Sequence, residues 1–279
     1  MKLRLVTAGT GAAWVNLGLR TFLKQPIALS SVFFLGMLVM MVISAVPVVG
    51  SVVATALAPA VTVAMMVATA QVTQGQRPMP WVLLSAFRSS AGQTRSMVIL
   101  GALFSAAISG VFALSAWVDG GQLLGVMQGT VKFTPELAKE SAFRNAMWLM
   151  LGLSMAVSVL IWHAPGLIHW HKVTPIKALF FSAVACVRNG GAFLIYGVVA
   201  MGLMIGSSMA ISVVGGILLA LGLPSMVVMS FLMVLTVMVV VMVTASQVFS
   251  FRDSFEAPGT ANDLSPETPE PPATSDEPH

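Results

Sequence analysis

Six stretches of the chain contain no Asp, Glu, Lys or Arg in their interiors: about 27–48, 50–72, 96–118, 145–163, 192–214 and 225–249. A bilayer core about 30 Å thick is crossed by a helix of roughly 20 apolar residues. Inside that core no water satisfies the backbone, so each run must close its own hydrogen bonds as a helix. The pattern predicts an all-α polytopic membrane bundle of six transmembrane helices over residues 1–255. Composition agrees, with 57% hydrophobic and 9% charged residues, where a soluble domain carries roughly 25% charged. A soluble enzyme, a disordered protein and a disulfide-stapled secreted domain are excluded. The single cysteine, Cys186, has no intramolecular partner. The first apolar run begins at Ile27 and is too long for the core of a signal peptide.

Charge sets the direction. One side of the six spans receives Lys2, Arg4, Arg20, Lys24, Arg77, Arg88, Arg95, Lys172, Lys177, Arg188 and Arg252; the other receives Lys132, Lys139 and Arg144. The excess of bases marks the cytoplasmic side, which predicts both termini inside and an inner-membrane, multi-pass location. The basic isoelectric point is therefore a topology signal and not a nucleic-acid footprint. Residues 256–279 hold six acids, six prolines and no Lys or Arg, and read as a disordered cytoplasmic tail.

Short amphipathic segments precede the odd-numbered spans, at 13–24, 80–91 and 175–188. Their apolar residues are Trp14, Leu17 and Phe22; Trp81, Leu84 and Phe87; and Ile176, Leu179, Phe180, Ala183 and Val187. The expectation is three helices lying in the headgroup layer, with Arg20, Lys24, Arg88, Lys172, Lys177 and Arg188 facing anionic lipid. The chain then reads as three units, each an interfacial helix followed by a two-span hairpin. In the loop 119–144, Thr134 and Pro135 start a short helix, with Glu136–Lys139 and Glu140–Arg144 spaced as ion pairs.

Helices in lipid pack closely where side chains are small. Span two carries Ala60 and Ala64 within a four-residue alanine series. Span three carries Gly101, Ser105 and Ser109, and span five Gly202 and Gly206. These stripes predict a close-packed centre of spans two, three and five, with span six facing lipid. Pro59 kinks span two.

Three of the four histidines, His163, His169 and His171, sit at the end of span four and are the weak candidates for a metal or haem site. Residues 169 and 171 point nearly opposite ways on one helix, and no acid or cysteine lies beside them, so an interfacial aromatic belt is the plainer reading. The 20 methionines suit apolar filling better than copper. No catalytic triad, phosphate loop or metalloprotease motif is present, and no cofactor or enzymatic activity is expected. The absence of carboxylates inside the spans argues against an ion-coupled pump.

Several local motifs resemble a family of multi-span bacterial inner-membrane proteins, common in β-proteobacteria and without an assigned function. They are Trp14-Val15 with Gly18-Leu19-Arg20-Thr21-Phe22, Leu83-Leu84-Ser85-Ala86-Phe87-Arg88, and Trp117-Val118-Asp119-Gly120-Gly121-Gln122. Trp162-His163-Ala164-Pro165, Lys177-Ala178-Leu179-Phe180-Phe181-Ser182 and Phe251-Arg252-Asp253-Ser254-Phe255 complete them. The resemblance covers residues 12–255 and implies a multi-span membrane protein, with no catalytic residue to carry over. Three functional readings follow. The first is a non-catalytic scaffold or accessory protein that binds membrane lipid, a membrane-protein partner or a second copy of itself. The alternatives are a permeation component for a small or amphiphilic solute, and a metal- or haem-binding protein.

Overall fold

The computed structural model describes residues 3–47, 49–88 and 90–255; the acidic tail lies outside the described residues. Eleven α-helices are present among them: α1 (Thr10–Lys24), α2 (Pro26–Ser44), α3 (Gly50–Thr73), α4 (Ala91–Asp119), α5 (Gln122–Met127), α6 (Pro135–Lys139), α7 (Ser141–Ile161), α8 (Ala164–His171), α9 (Pro175–Arg188), α10 (Gly190–Ala220) and α11 (Ser225–Ser254). Six are long and apolar enough to cross a membrane: α2, α3, α4, α7 running on through α8, α10 and α11. The six-span bundle is thus present, as three hairpins. The pairs α2–α3, α4–α7 and α10–α11 each pack internally, α3 joins the first hairpin to α4, and α1 lies across α10 and α11. The two described chain ends meet, Leu3 bridging to Phe255, so one face of the bundle is its terminal end.

Local chemistry explains the boundaries. Pro26, Pro135, Pro165 and Pro175 each stand in the first helical turn, where the missing N–H is not needed. Ser90 and Gln93 close a reciprocal capping box at the start of α4. Thr134 Oγ1 accepts from Leu137 N at 3.2 Å to start α6. The hydroxyl of Thr174, in the same position before α9, makes no capping bond. Gly222, with φ of 82°, turns the chain between α10 and α11; Gly215 and Gly216 do not end the helix, which runs unbroken to Ala220.

The close contact of spans two and three is as expected. A Cβ on Gly101 would run into the carbonyl of Ala56, Ser105 Oγ donates to the Val52 carbonyl at 2.8 Å, and Ala60 and Ala64 are buried. Span five is a correction. It packs on α1 and α11, not on α3 or α4, and a Cβ on Gly202 or Gly206 would meet open space. Ser109 is exposed as well. Four-residue periodicity reports that a narrow stripe of small residues exists; it does not say that another helix lies on it. Span six is a second correction. Its outer half is exposed, but Val241, Ala245, Ser246, Phe249, Ser250 and Ser254 are buried against the rest of the bundle.

The amphipathic segments diverge. Helix α9 leaves Ile176, Phe180 and Val187 exposed while Ala178, Ser182 and Ala185 are buried, as an interfacial helix should. The second segment is a single 3₁₀ turn, Pro80–Leu84, because Ser90 is taken as the cap of α4; Trp81 and Leu84 are exposed and Val82 is buried. Helix α1 does not float on lipid. Its face of Gly11, Trp14, Val15, Gly18, Thr21 and Phe22 is buried in protein, the two glycines admitting the backbones of α10 and α11. Neither ion pair of the external loop forms: Arg144 Nη1 donates to the Lys139 carbonyl at 3.0 Å and Gln122 donates to Glu140 at 3.4 Å.

The two kinds of glycine separate in a stability measurement. Gly101→Leu overpacks the α3–α4 contact and lowers the stability of the detergent-solubilised protein by about 1–3 kcal/mol, seen as a drop in Tm by fluorescence-detected gel filtration. Gly202→Leu, at an open position, stays within about 0.5 kcal/mol of the parent.

Candidate functional site

The residues with chemical potential gather at the terminal end, where α1, α8, α9, α10 and α11 meet. Trp14, fully buried, donates its indole N–H to Asp253 Oδ2 at 2.9 Å. The other oxygen of Asp253 pairs with Arg252 Nε at 3.0 Å, so the carboxylate is neutralised by a partner and a donor. The Arg252 guanidinium also lies over the Phe249 ring, 5.2 Å from its centroid. Asp253 is therefore both the ion-pair partner of Arg252 and the anchor of α1.

Asn189, in the break between α9 and α10, holds the N-terminal strap. Its Oδ1 accepts from Val6 N at 3.0 Å and its Nδ2 donates to the Arg4 carbonyl at 3.1 Å. Arg4 N in turn donates to the Ser254 carbonyl at 2.9 Å. On α11, Ser246, Ser250 and Ser254 recur every four residues and are fully buried. The Tyr196 hydroxyl and Ser246 Oγ lie 2.9 Å apart, and Trp162 Nε1 donates to Ser250 Oγ at 3.1 Å.

The histidine cluster is a folding device at the α7–α8 break. Pro165 begins α8, and Gly166 leaves room for the Phe251 ring, which a Cβ there would meet at 2.9 Å. The His163 backbone N–H donates to Ser182 Oγ at 2.9 Å, and Ser182 donates on to the Val159 carbonyl at 3.0 Å. The His163 ring is fully buried between Phe193, Phe251 and Phe255, with centroids at 5.6, 5.9 and 5.3 Å. Neither ring nitrogen has a hydrogen-bond partner among the described residues. His169 stacks edge-on to Trp170 at 5.0 Å, and His171 lies 5.9 Å from Phe251. No group of three His, Cys, Asp or Glu side chains able to hold a metal is found among the described residues. The donor set around His163 consists of aromatic rings, which does not suit a metal's first shell.

Arg20, Lys24, Arg88, Lys172, Lys177 and Arg188 are all exposed and lie on connectors at the terminal end. Cys186 on α9 is buried, which pushes its thiol up to about 12 against the opposing hydrogen bond from Ser182. Burial thus disfavours the thiolate, the form that acts as nucleophile or metal ligand. At the other end, buried Asp119 accepts from Gly121 N at 2.9 Å and Leu123 N at 2.7 Å, closing α4 onto α5. Sequence reasoning missed Asn189, Tyr196 and Gln247. The four-residue spacing of Ser246, Ser250 and Ser254 in an otherwise apolar span was the available signal for this polar seam.

Fold and site together define a multi-span α-helical membrane protein whose polar residues are concentrated at the end where its termini meet. The chain belongs to a family of bacterial inner-membrane proteins. It is 37% identical over 215 residues to a probable inner membrane protein of Burkholderia thailandensis, a match covering 76% of this chain and 80% of that one. No family model and no solved structure matches it.

Two measurements test this reading of the site. Trp14→Phe and Asp253→Asn each destabilise the protein by about 1.5–3 kcal/mol, the range for a hydrogen bond to a charged group. Their double mutant costs no more than the larger single, which a double-mutant cycle on detergent-solubilised protein would register as coupling. His163→Leu, which replaces an imidazole without partners by an apolar side chain, leaves the Tm unchanged or raises it; a fall of several degrees would mean that the ring nitrogens hold something.

Proposed function

We propose that the protein is a non-catalytic scaffold or accessory protein of the inner membrane, with both chain ends cytoplasmic and its terminal face bound to anionic phospholipid. One observation carries the reading: the terminal face exposes Arg4, Arg20, Lys24, Arg77, Arg88, Arg95, Lys172, Lys177, Arg188 and Arg252. Against them stands one carboxylate among the described residues, Asp253, already engaged by Trp14 and Arg252. The opposite end balances Lys132, Lys139 and Arg144 with Asp119, Glu136 and Glu140. Such asymmetry orients spans with the basic side inward and attracts anionic headgroups. The exposed apolar residues beside the bases, Leu23 and Ile27, Met79 and Trp81, and Ile176 and Phe180, match a surface seated among acyl chains.

The polar side chains of the interior support the non-catalytic part of the proposal. Trp14, Asn189, Ser182, Tyr196 and Asp253 are each committed to bonds that join helices. The permeation alternative needed a centre of spans two, three and five, and those spans do not assemble around a common axis.

Orientation and lipid binding are checked in one set of variants. With Cys186→Ala as background, Lys139→Cys is labelled by a membrane-impermeant maleimide on intact spheroplasts, and Lys177→Cys is labelled only after permeabilisation; the reverse pattern overturns the orientation. Native mass spectrometry of the parent retains anionic phospholipid. Combined Lys172→Gln, Lys177→Gln and Arg188→Gln loses it, by roughly fivefold in affinity for each base removed. Retention of zwitterionic lipid to the same extent, or a stoichiometric metal or haem, would sink the reading.

A further inference from the structure

Where the three hairpins come together, a cavity of about 200 Å³ opens between α3, α4, α7, α8 and α11. Thr62 Oγ1 donates to the Ala58 carbonyl at 3.0 Å and Ser158 Oγ to the Ser154 carbonyl at 2.8 Å. Gln247 Nε2 donates to the Trp162 carbonyl at 2.9 Å. A carbonyl only accepts, so the amide is fixed with its nitrogen there, and Gln247 Oε1 is left with no hydrogen bond among the described residues. Ile161 also lines the cavity, and its carbonyl lacks the amide of a continuing helix because residue 165 is proline. The Trp162 indole N–H is turned away to Ser250 at 3.1 Å. The hydroxyl protons of Thr62 and Ser158 and the Trp162 indole N–H are therefore committed, while Gln247 keeps its amide oxygen and the second N–H of its amide.

No charged side chain lines the cavity, so a cation there would carry its full desolvation cost. The rest of the lining is apolar and includes Phe104, the body of Trp162 and Pro59. Unpaired acceptors in such surroundings are costly unless a donor arrives from outside. The volume exceeds that of an engineered apolar cavity of about 150 Å³ that takes up benzene. Ser158, one of the lining residues, is exposed, so the cavity opens beside α7.

From this we infer that the cavity is a binding site for a small neutral amphiphile, with an apolar body about the size of a benzene ring and one hydroxyl or N–H donor. Such a molecule partitions into the membrane, enters past Ser158, stacks its body between Phe104 and Trp162, and donates to Gln247 Oε1 with Thr62 Oγ1 beside it. Pro59, inside α3, is among the lining residues. This site is independent of the scaffold reading: it predicts a ligand, not a flux or a reaction.

The test is ¹⁹F NMR on the full chain in lipid nanodiscs with two probes of matched shape, 4-fluorophenol and 4-fluorotoluene. The parent gives a saturable, shifted 4-fluorophenol resonance that unlabelled phenol displaces, and binds 4-fluorotoluene about tenfold more weakly, the worth of one net hydrogen bond. Gln247→Leu brings the two probes to parity. Because that change also removes the bond to Trp162, Thr62→Val serves as the milder variant, lowering 4-fluorophenol affinity severalfold while leaving 4-fluorotoluene unaltered. Ala58→Phe fills the space and abolishes both signals. The inference is overturned by a parent that shows no saturable resonance, by equal affinity for the two probes, or by a resonance that persists in Ala58→Phe.

Discussion

The hydrogen bond from Trp14 to Asp253 joins residues 239 positions apart, and the arrangement of the terminal end depends on it. A buried indole N–H without an acceptor, or a half-buried carboxylate without donors, would each cost more than a typical net hydrogen bond returns. Brought together, they cancel that cost and draw α1 down between α10 and α11. Gly11 and Gly18 make the approach possible, since a Cβ at either would strike the facing helix. Once α1 is seated, the strap before it lies within reach of Asn189 and Ser254, and the chain ends close on each other. An amphipathic helix that would otherwise rest on the membrane surface becomes part of the protein core.

Elsewhere in the bundle the bonds between helices are fewer and run from hydroxyls and one amide to backbone carbonyls, as from Ser105, Ser115 and Gln93. Lipid tails are as apolar as leucine, so burial alone does not draw helices together. Where small residues and hydroxyls offer closer contact, as at Gly101, Ser105 and the buried alanines of α3, the spans pack tightly. Where they do not, the helices meet lipid. The outer parts of α10 and α11 show this, with Ile205, Met209, Val213, Met226, Met229 and Met233 all exposed. The molecule is dense at its terminal end and loose at the other, and its polar residues are distributed in the same way.

This explains which features were legible in sequence. The six spans were, because length and lack of charge are properties of one segment at a time. So were the starts of α6 and α9, because a proline at the first turn acts locally. The mutual contact of α3 and α4 was legible from their small residues. The partners of α1 were not: its apolar face is visible in the spacing of Trp14 and Phe22, but lipid and protein are equally apolar covers. Gly202 and Gly206 mislead for the same reason, since a small-residue stripe permits contact without requiring it. The role of the histidines was hidden because His163 acts through its backbone N–H, bonded to Ser182 from another helix, and not through its ring. The clustering of the family-like motifs has a common cause. Trp14, His163, Ser182 and the Phe251–Phe255 segment are scattered in sequence yet converge on one junction, whose packing requires all of them at once.

That convergence bears on function. The terminal junction pairs the polar side chains of Trp14, Asp253, Asn189, Ser182 and Tyr196 and leaves the buried His163 ring without a partner. The junction is a clamp that joins α1, α7, α9, α10 and α11. Uncommitted polar groups are also found at the cavity beside Gln247. Gln247 belongs to both regions: its amide nitrogen ties α11 to the α7–α8 break, and its amide oxygen is left facing the gap between hairpins. A ligand that takes that oxygen would bridge α11, α3 and α7 through a side chain already part of the clamp. Occupancy of the cavity would then stiffen the same inter-hairpin contacts that hold the basic face in place.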